Sequence, residues 1–264
     1  MRWVLIPLVA LAVMLSGCPS RTTVAPVPPA PSEAPETSVP APAPTYACHR
    51  AAGPITVDGS PEEEAWQQAG WPTKPFAKWN GLPAHTETTA RLLWDDQYLY
   101  VAFECEDPDI QGSMKQRDES LWEENEVVEL FADAGADQGC YLEFEINPLN
   151  TVVDLVIPKA GAPGPVEGKK MWDAKGMKTA AATDSGGWRV EMAIPLDCFL
   201  DAPNTPPKPG DGWRINLYRV DAVSDQVEYQ AWVPTNTPEP SFHVPERFGV
   251  LRFEGGGGGE ADES

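Results

Sequence analysis

Between Thr89 and Phe253 the chain alternates apolar and polar residues in short runs separated by proline, glycine or aspartate, and no long helical period appears after Gly70. Neighbouring side chains of a strand point to opposite faces, so runs of this kind make half-buried strands and do not fit the face of a helix. The runs are Thr89 to Trp94, Tyr98 to Cys105, Val127 to Phe131, Cys140 to Ile146, Val152 to Ile157, Trp188 to Ile194, Trp213 to Val220, Val227 to Trp232 and Phe248 to Phe253. They predict an all-β chain, an antiparallel β-sandwich of the jelly-roll or immunoglobulin-like kind. Asp95-Asp96-Gln97 marks the clearest hairpin. One short N-terminal helix is expected from Ser60-Pro61-Glu62-Glu63, which offers an N-cap, a first-position proline and a capping-box glutamate. Ile55 to Val57 reads as a brief strand before it, closed by an Asp58-Gly59 turn.

The two ends have a different character. Arg2, the apolar run Trp3 to Met14 and the close at Leu15-Ser16-Gly17-Cys18 read as an export signal over residues 1–17, too short to span a bilayer. The small residues before Cys18 resemble the lipobox of bacterial lipoproteins, which implies lipidation of Cys18 and attachment to the cell envelope, at its periplasmic face or at the cell surface. Residues 18–46 are then a Pro/Ala-rich linker which, as extended polyproline II, reaches up to roughly 80 Å. Residues 255–264 read as a glycine-rich acidic tail, leaving 47–254 as one folded domain.

The chain carries 40 acidic and 19 basic residues for a formal charge of −21. Nucleic-acid phosphates and anionic lipid headgroups are poor partners for such a surface; neutral sugars are not excluded, and acidic loops suit Ca²⁺. With Cys18 assigned to lipid, Cys48, Cys105, Cys140 and Cys198 remain in an oxidising compartment. Alternation places Cys105 and Cys140 on core faces, which favours a Cys105–Cys140 disulfide and leaves Cys48 with Cys198, among three possible pairings; buried free thiols are the alternative to any of them.

Alternation also sorts the faces of two central strands. Val128 and Leu130 point in, as do Leu142, Phe144 and Ile146. If these strands pair, Glu129, Glu143 and Glu145 decorate the opposite face beside Tyr141 and Phe131.

Several segments together resemble carbohydrate-binding module family 9. Ile55-Thr56-Val57-Asp58-Gly59 with Ala65-Trp66 is similar to its opening, and Leu93 to Val101 to its first hairpin. Trp122-Glu123-Glu124-Asn125-Glu126-Val127-Val128-Glu129-Leu130-Phe131 is similar to its central motif, and Trp188 to Pro195 and Arg247-Phe248-Gly249 to its closing ones. The resemblance spans about Ile55 to Arg252. It implies a DOMON-like β-sandwich that binds glycans, often with structural Ca²⁺, as found attached to xylanases and other polysaccharide-degrading enzymes. Trp122 matches the aromatic that stacks on the sugar, and Glu129 a carboxylate that holds its hydroxyls. Phe242 stands where a second stacking tryptophan is usual, and Glu145 lies on a strand where sugar-binding members can carry arginine; both are departures.

A pyranose presents flat C–H patches edged by hydroxyls, so Trp122 and Phe242 are the candidate faces and Glu129, with Asn125 or Asn147, the candidate polar contacts. For Ca²⁺ the turn aspartates are candidates, Asp107 and Asp133 foremost among Asp95, Asp96, Asp107, Asp109, Asp133 and Asp137, although turn chemistry alone accounts for them. The expected function is non-catalytic binding of a polysaccharide or oligosaccharide at the envelope, in the service of polysaccharide catabolism and beside a degrading enzyme. Glu143 and Glu145 have a spacing that glycosidases use, but any i, i+2 pair on a strand does. The alternatives are a haem-binding electron-transfer domain, with Met114 or Met171 and His85 or His243 as axial ligands, and a structural envelope protein without ligand.

Overall fold

The computed structural model describes residues 42–70, 72–158, 172–223 and 226–255. The export signal, Cys18, most of the linker, Met171 and all but the first residue of the tail lie outside the described residues.

The strands are β1 (Thr45–Arg50), β2 (Ala77–Lys78), β3 (Thr88–Trp94), β4 (Tyr98–Glu106), β5 (Val127–Asp133), β6 (Tyr141–Ile146), β7 (Val152–Ile157), β8 (Lys178–Asp184), β9 (Gly187–Pro195), β10 (Gly212–Val223), β11 (Gln226–Ala231) and β12 (Gly249–Phe253). Two four-residue helices, α1 (Glu64–Gln67) and α2 (Leu121–Glu124), interrupt them. The strands follow one path, β7-β6-β5-β10-β12-β1-β3-β4-β9-β8, with β11 and β2 attached beside β10. Folded on itself, this path makes a β-sandwich. Most pairings are antiparallel as expected, but β1 runs parallel to both of its neighbours: Thr45 to Cys48 pair with Val250 to Phe253, then His49 and Arg50 with Leu93 and Trp94. One strand therefore joins the two layers.

Alternation builds the core between them. Val128, Leu130 and Ala132 of β5, Phe144 and Ile146 of β6, and Trp213, Ile215 and Leu217 of β10 meet Leu92 and Trp94 of β3, Val101 and Phe103 of β4, and Val190 and Met192 of β9. A second apolar cluster covers the other face of the β5 layer: Val127, Phe131, Tyr141, Tyr218 and Val220 pack under Leu121, Phe242 and Phe248. A third lies outside the opposite layer, where Ala65, Trp66 and Ala69 pack on Leu93, Tyr100 and Ala102. The face of β5 and β6 that was expected to meet solvent is thus buried, because chain from α2 and from the segment around Phe242 closes over it.

Three local expectations need correction. The helix begins at Glu64, later than Ser60, with no side-chain cap. The expected capping-box glutamate is engaged elsewhere, Glu63 Oε1 accepting from Thr56 N at 2.9 Å, and the turn before the helix is held by Glu191 Oε2, which accepts from the backbone of Asp58, Gly59 and Ser60 at 3.0, 2.8 and 3.2 Å. Gly59 sits at φ +88 in that turn, a left-handed conformation that an L side chain resists. Ile55 to Val57 forms no strand and packs against the third cluster instead.

The cysteines are the third correction: Cys48, Cys105, Cys140 and Cys198 are all free thiols, so neither Cys105–Cys140 nor Cys48–Cys198 is formed. Cys140 was placed inside by extending the β6 alternation one residue too far. The strand starts at Tyr141, and Cys140 is exposed at the end of the preceding turn, while Cys105 stays in the core. Cys140 borders a small cavity of about 100 Å³ together with Cys198.

Candidate functional site

A cleft of about 300 Å³ opens on the second apolar cluster, between α2 and the segment Pro240 to His243. Helix α2 presents Leu121 to the cluster, fully buried, and Trp122, one step of about 100° further round the helix, is left 51% exposed on the cleft rim. The chain before α2 is fixed by side-chain acceptors. Asn125 Oδ1 takes Ser113 N at 2.8 Å and Met114 N at 3.0 Å, and Glu119 Oε2 takes Lys115 N and Gln116 N at 3.1 and 2.9 Å.

The floor comes from β5 and β6. Glu129 pairs across the strands with Glu145, and Phe131 with Glu143. Glu129, Phe131 and Glu143 line the cleft. Burial first, and then the facing Glu145 carboxylate, push the Glu129 carboxyl well above its ordinary range. The opposite wall is Phe242 and His243. Tyr218 OH donates to the Phe242 carbonyl at 2.9 Å, while Asn216 binds Val233 O and N at 2.8 and 3.0 Å, so strand β10 holds both this wall and the chain that leads into it. The His243 ring lies over Phe131 at 5.1 Å, and its Nδ1 is 2.8 Å from the Tyr141 hydroxyl; burial pushes the imidazole pKa down, toward the neutral form.

Of the residues singled out by sequence, Trp122, Glu129 and Phe242 come together in this cleft. Phe242 is only 8% exposed and rests on Tyr218, so it serves as wall more than as platform. Asn125 and Asn147 do not line the cleft. They bond each other at 3.0 Å, and Asn147 further binds Met114 O and the backbone of Leu149 and Thr151, which makes both of them anchors of neighbouring loops. Tyr229 and Ser241 belong to the lining without having been foreseen, and Glu143 and His243 without having been assigned to a sugar site. Their signal was faint: His243 adjoins Phe242, and Glu143 shares the parity of Glu145.

Asp133 ends β5 and Asp107 lies beside Glu126, the residue before its start, so the two are roughly 20 Å apart at the usual strand rise and cannot share an ion. Asp133 Oδ2 closes its own turn by accepting from Gln138 N at 2.8 Å. Asp107 converges with Glu126 and Asp221, their oxygens within 4.8 Å of one another. The centre of this group is Arg219, which is fully buried and which sequence reading passed over. Its Nη2 donates to Asp107 at 2.8 Å and Asp221 at 2.9 Å, and its Nη1 to the Glu106 carbonyl at 2.9 Å. A guanidinium thus already supplies positive charge to two of the three carboxylates. Glu126 beside them has its carboxyl raised to about 9, by burial and then by Asp107, and holds a proton at neutral pH. Among the haem-ligand candidates, His85 is bound to Glu228 at 2.5 Å and Met114 packs against the second cluster.

A family model described as carbohydrate family 9 binding domain-like matches residues 57–256. The chain belongs to that family. An extracellular protein of Arthroderma benhamiae is 30% identical over 181 residues, 63% of this chain and 78% of its own length. Endo-1,4-beta-xylanase A of Thermotoga maritima is 27% identical over 207 residues; the match covers 76% of this chain and 17% of the xylanase. Among solved structures, a family 9 module of Caldicellulosiruptor kristjanssonii in complex with cellotriose superimposes with a TM-score of 0.57 at 18% identity, over 83% of this chain and 95% of that one. The family 9 fold, mostly β with few short helices, is the one described above.

Proposed function

We propose that this family 9 domain binds a saccharide in the cleft between α2 and Phe242. Trp122 stacks on the C–H face of a pyranose, and Glu129 and Glu143 accept hydrogen bonds from its polar edge. The observation that carries the reading is the half-exposed indole of Trp122 on the rim of a cleft whose floor is a buried carboxylate. Large aromatics are seldom left open to water beside a concave surface unless something lies against them. A cellotriose-bound relative of the same fold supports the ligand class.

The role follows from the same reading. The domain captures polysaccharide or oligosaccharide outside the cytoplasm, lipid-anchored through Cys18 and held off the membrane by residues 18–46, while a separate enzyme cuts the chain. A relative named as an extracellular protein and a xylanase that carries a matching segment support the compartment and the partner class. The test is retention on cellulose and xylan and titration with soluble oligosaccharides. Trp122→Ala should weaken binding at least about thirtyfold, the equivalent of roughly 2 kcal/mol, while the thermal transition stays in place. Unchanged retention without the indole would remove this cleft as the site. Release of reducing ends by the purified chain would replace the binding reading with a hydrolytic one.

A further inference from the structure

The polar lining of the cleft is one-sided. Glu129 and Glu143 line it, and no lysine or arginine does among the described residues. Glu145 stands opposite Glu129 across the strand pair. Of the other polar side chains in the lining, Ser241 and Tyr229 bring only hydroxyls, and His243 is biased toward the neutral form by burial. Glu129 is 3% exposed and receives no hydrogen bond from any described residue, although it lines the cleft. Burial and the facing Glu145 bias the Glu129 carboxyl toward its protonated form, so ionising it in place calls for donors and a positive charge brought against it. A sugar hydroxyl brings one donor and no charge; an ammonium group brings three donors and a full charge.

Resting on the saccharide reading of this cleft, we infer that it prefers a sugar unit bearing a protonated amine, a 2-amino-2-deoxypyranose within a glycan, over neutral hexoses and over uronic acids. Trp122 suits both parts of such a unit, since an indole stacks on the C–H face and attracts a cation to the same π surface. N-acetylation removes the charge and two of the three donors, and a uronate brings a second carboxylate against Glu129 in a poorly solvated place.

The experiment is calorimetric titration of the full chain, at about pH 6 where the amine is protonated, with a glucosamine trimer, an N-acetylglucosamine trimer and cellotriose. The amino trimer should bind at least about tenfold more tightly than either other trimer, as a close charge pair in a cleft warrants. That advantage should shrink in about 0.5 M NaCl, where screening is strong. Glu129→Gln should bring the ratio between amino trimer and cellotriose close to one; if this variant melts early, Glu143→Gln serves for the same comparison. Cellotriose binding as tightly as the amino trimer overturns the preference and leaves the saccharide site standing. Failure of all three trimers to bind overturns the site itself and the preference with it.

Discussion

The ring of Phe242 lies flat on that of Tyr218, with 4.1 Å between centroids and 12° between planes, and the Tyr218 hydroxyl donates to the Phe242 carbonyl. One wall of the cleft is thereby tied to the central strand β10. Phe242→Ala should cost about 3 kcal/mol and lower the melting temperature by roughly 5 to 10 °C, with loss of binding as a by-product. Trp122→Ala should lose binding alone. Thermal melts of the two variants side by side check this, and a Phe242→Ala protein as stable as its parent would show that the stack contributes nothing.

The Glu126 carboxyl makes stability depend on pH in a definite direction. Its ordinary value is 4.5, and in the fold it rises to about 9. The folded chain keeps a proton that the unfolded chain releases, so stability is fully present below about pH 4.5 and drains away as pH rises toward 9, by up to about 1.4 kcal/mol per pH unit. Glu129, Glu191 and Asp154 are shifted the same way by burial. Urea midpoints should therefore be higher at about pH 5 than at about pH 8, and Glu126→Gln should narrow the gap. An identical gap in the variant would place the proton elsewhere.

Arg219 occupies the centre of the buried acidic group, so removing it leaves carboxylates without their counter-charge. Arg219→Met should destabilise the domain by about 3 to 5 kcal/mol or prevent its folding. EGTA should leave the melting temperature of the unaltered chain where it is. A drop in EGTA that Ca²⁺ restores would instead put a divalent cation among Asp107, Glu126 and Asp221.

The thiols should differ in reactivity. Cys48 and Cys105 are buried, and burial pushes the Cys105 thiol up to about 12 and the Cys48 thiol well above its ordinary value, whereas Cys140 is exposed. Maleimide should label Cys140 quickly in the native protein and Cys48 and Cys105 only after denaturation. Absence of labelling in denaturant without reductant would reveal disulfides.

The strands that alternate cleanly, from Tyr98 to Cys105 and from Val127 to Phe131, were legible because their period states both their type and their inner face. β1, Thr-Tyr-Ala-Cys-His-Arg, and β8, Lys-Thr-Ala-Ala-Ala-Thr-Asp, were not, since neither carries the apolar stripe that marks a half-buried strand. Trp122 and Glu129 could be singled out because they lie in one motif. The burial of Glu129, Glu143 and Glu145 could not, because the segment that covers them comes from about a hundred residues later in the chain. Asn125 and Asn147 show the same limit: an amide suited to a hydroxyl is equally suited to a backbone, and here the backbone takes it.

Strand β1 lies between two parallel neighbours, hydrogen-bonded to β12 through its first half and to β3 through its second. A pull arriving from the residues before Thr45 runs along this strand and across the direction of its hydrogen bonds, which must shear together instead of peeling in turn. In the proposed arrangement, with the domain tethered at that end and gripping a fibre at its cleft, the strand that would take the load is also the one that locks the two layers to each other.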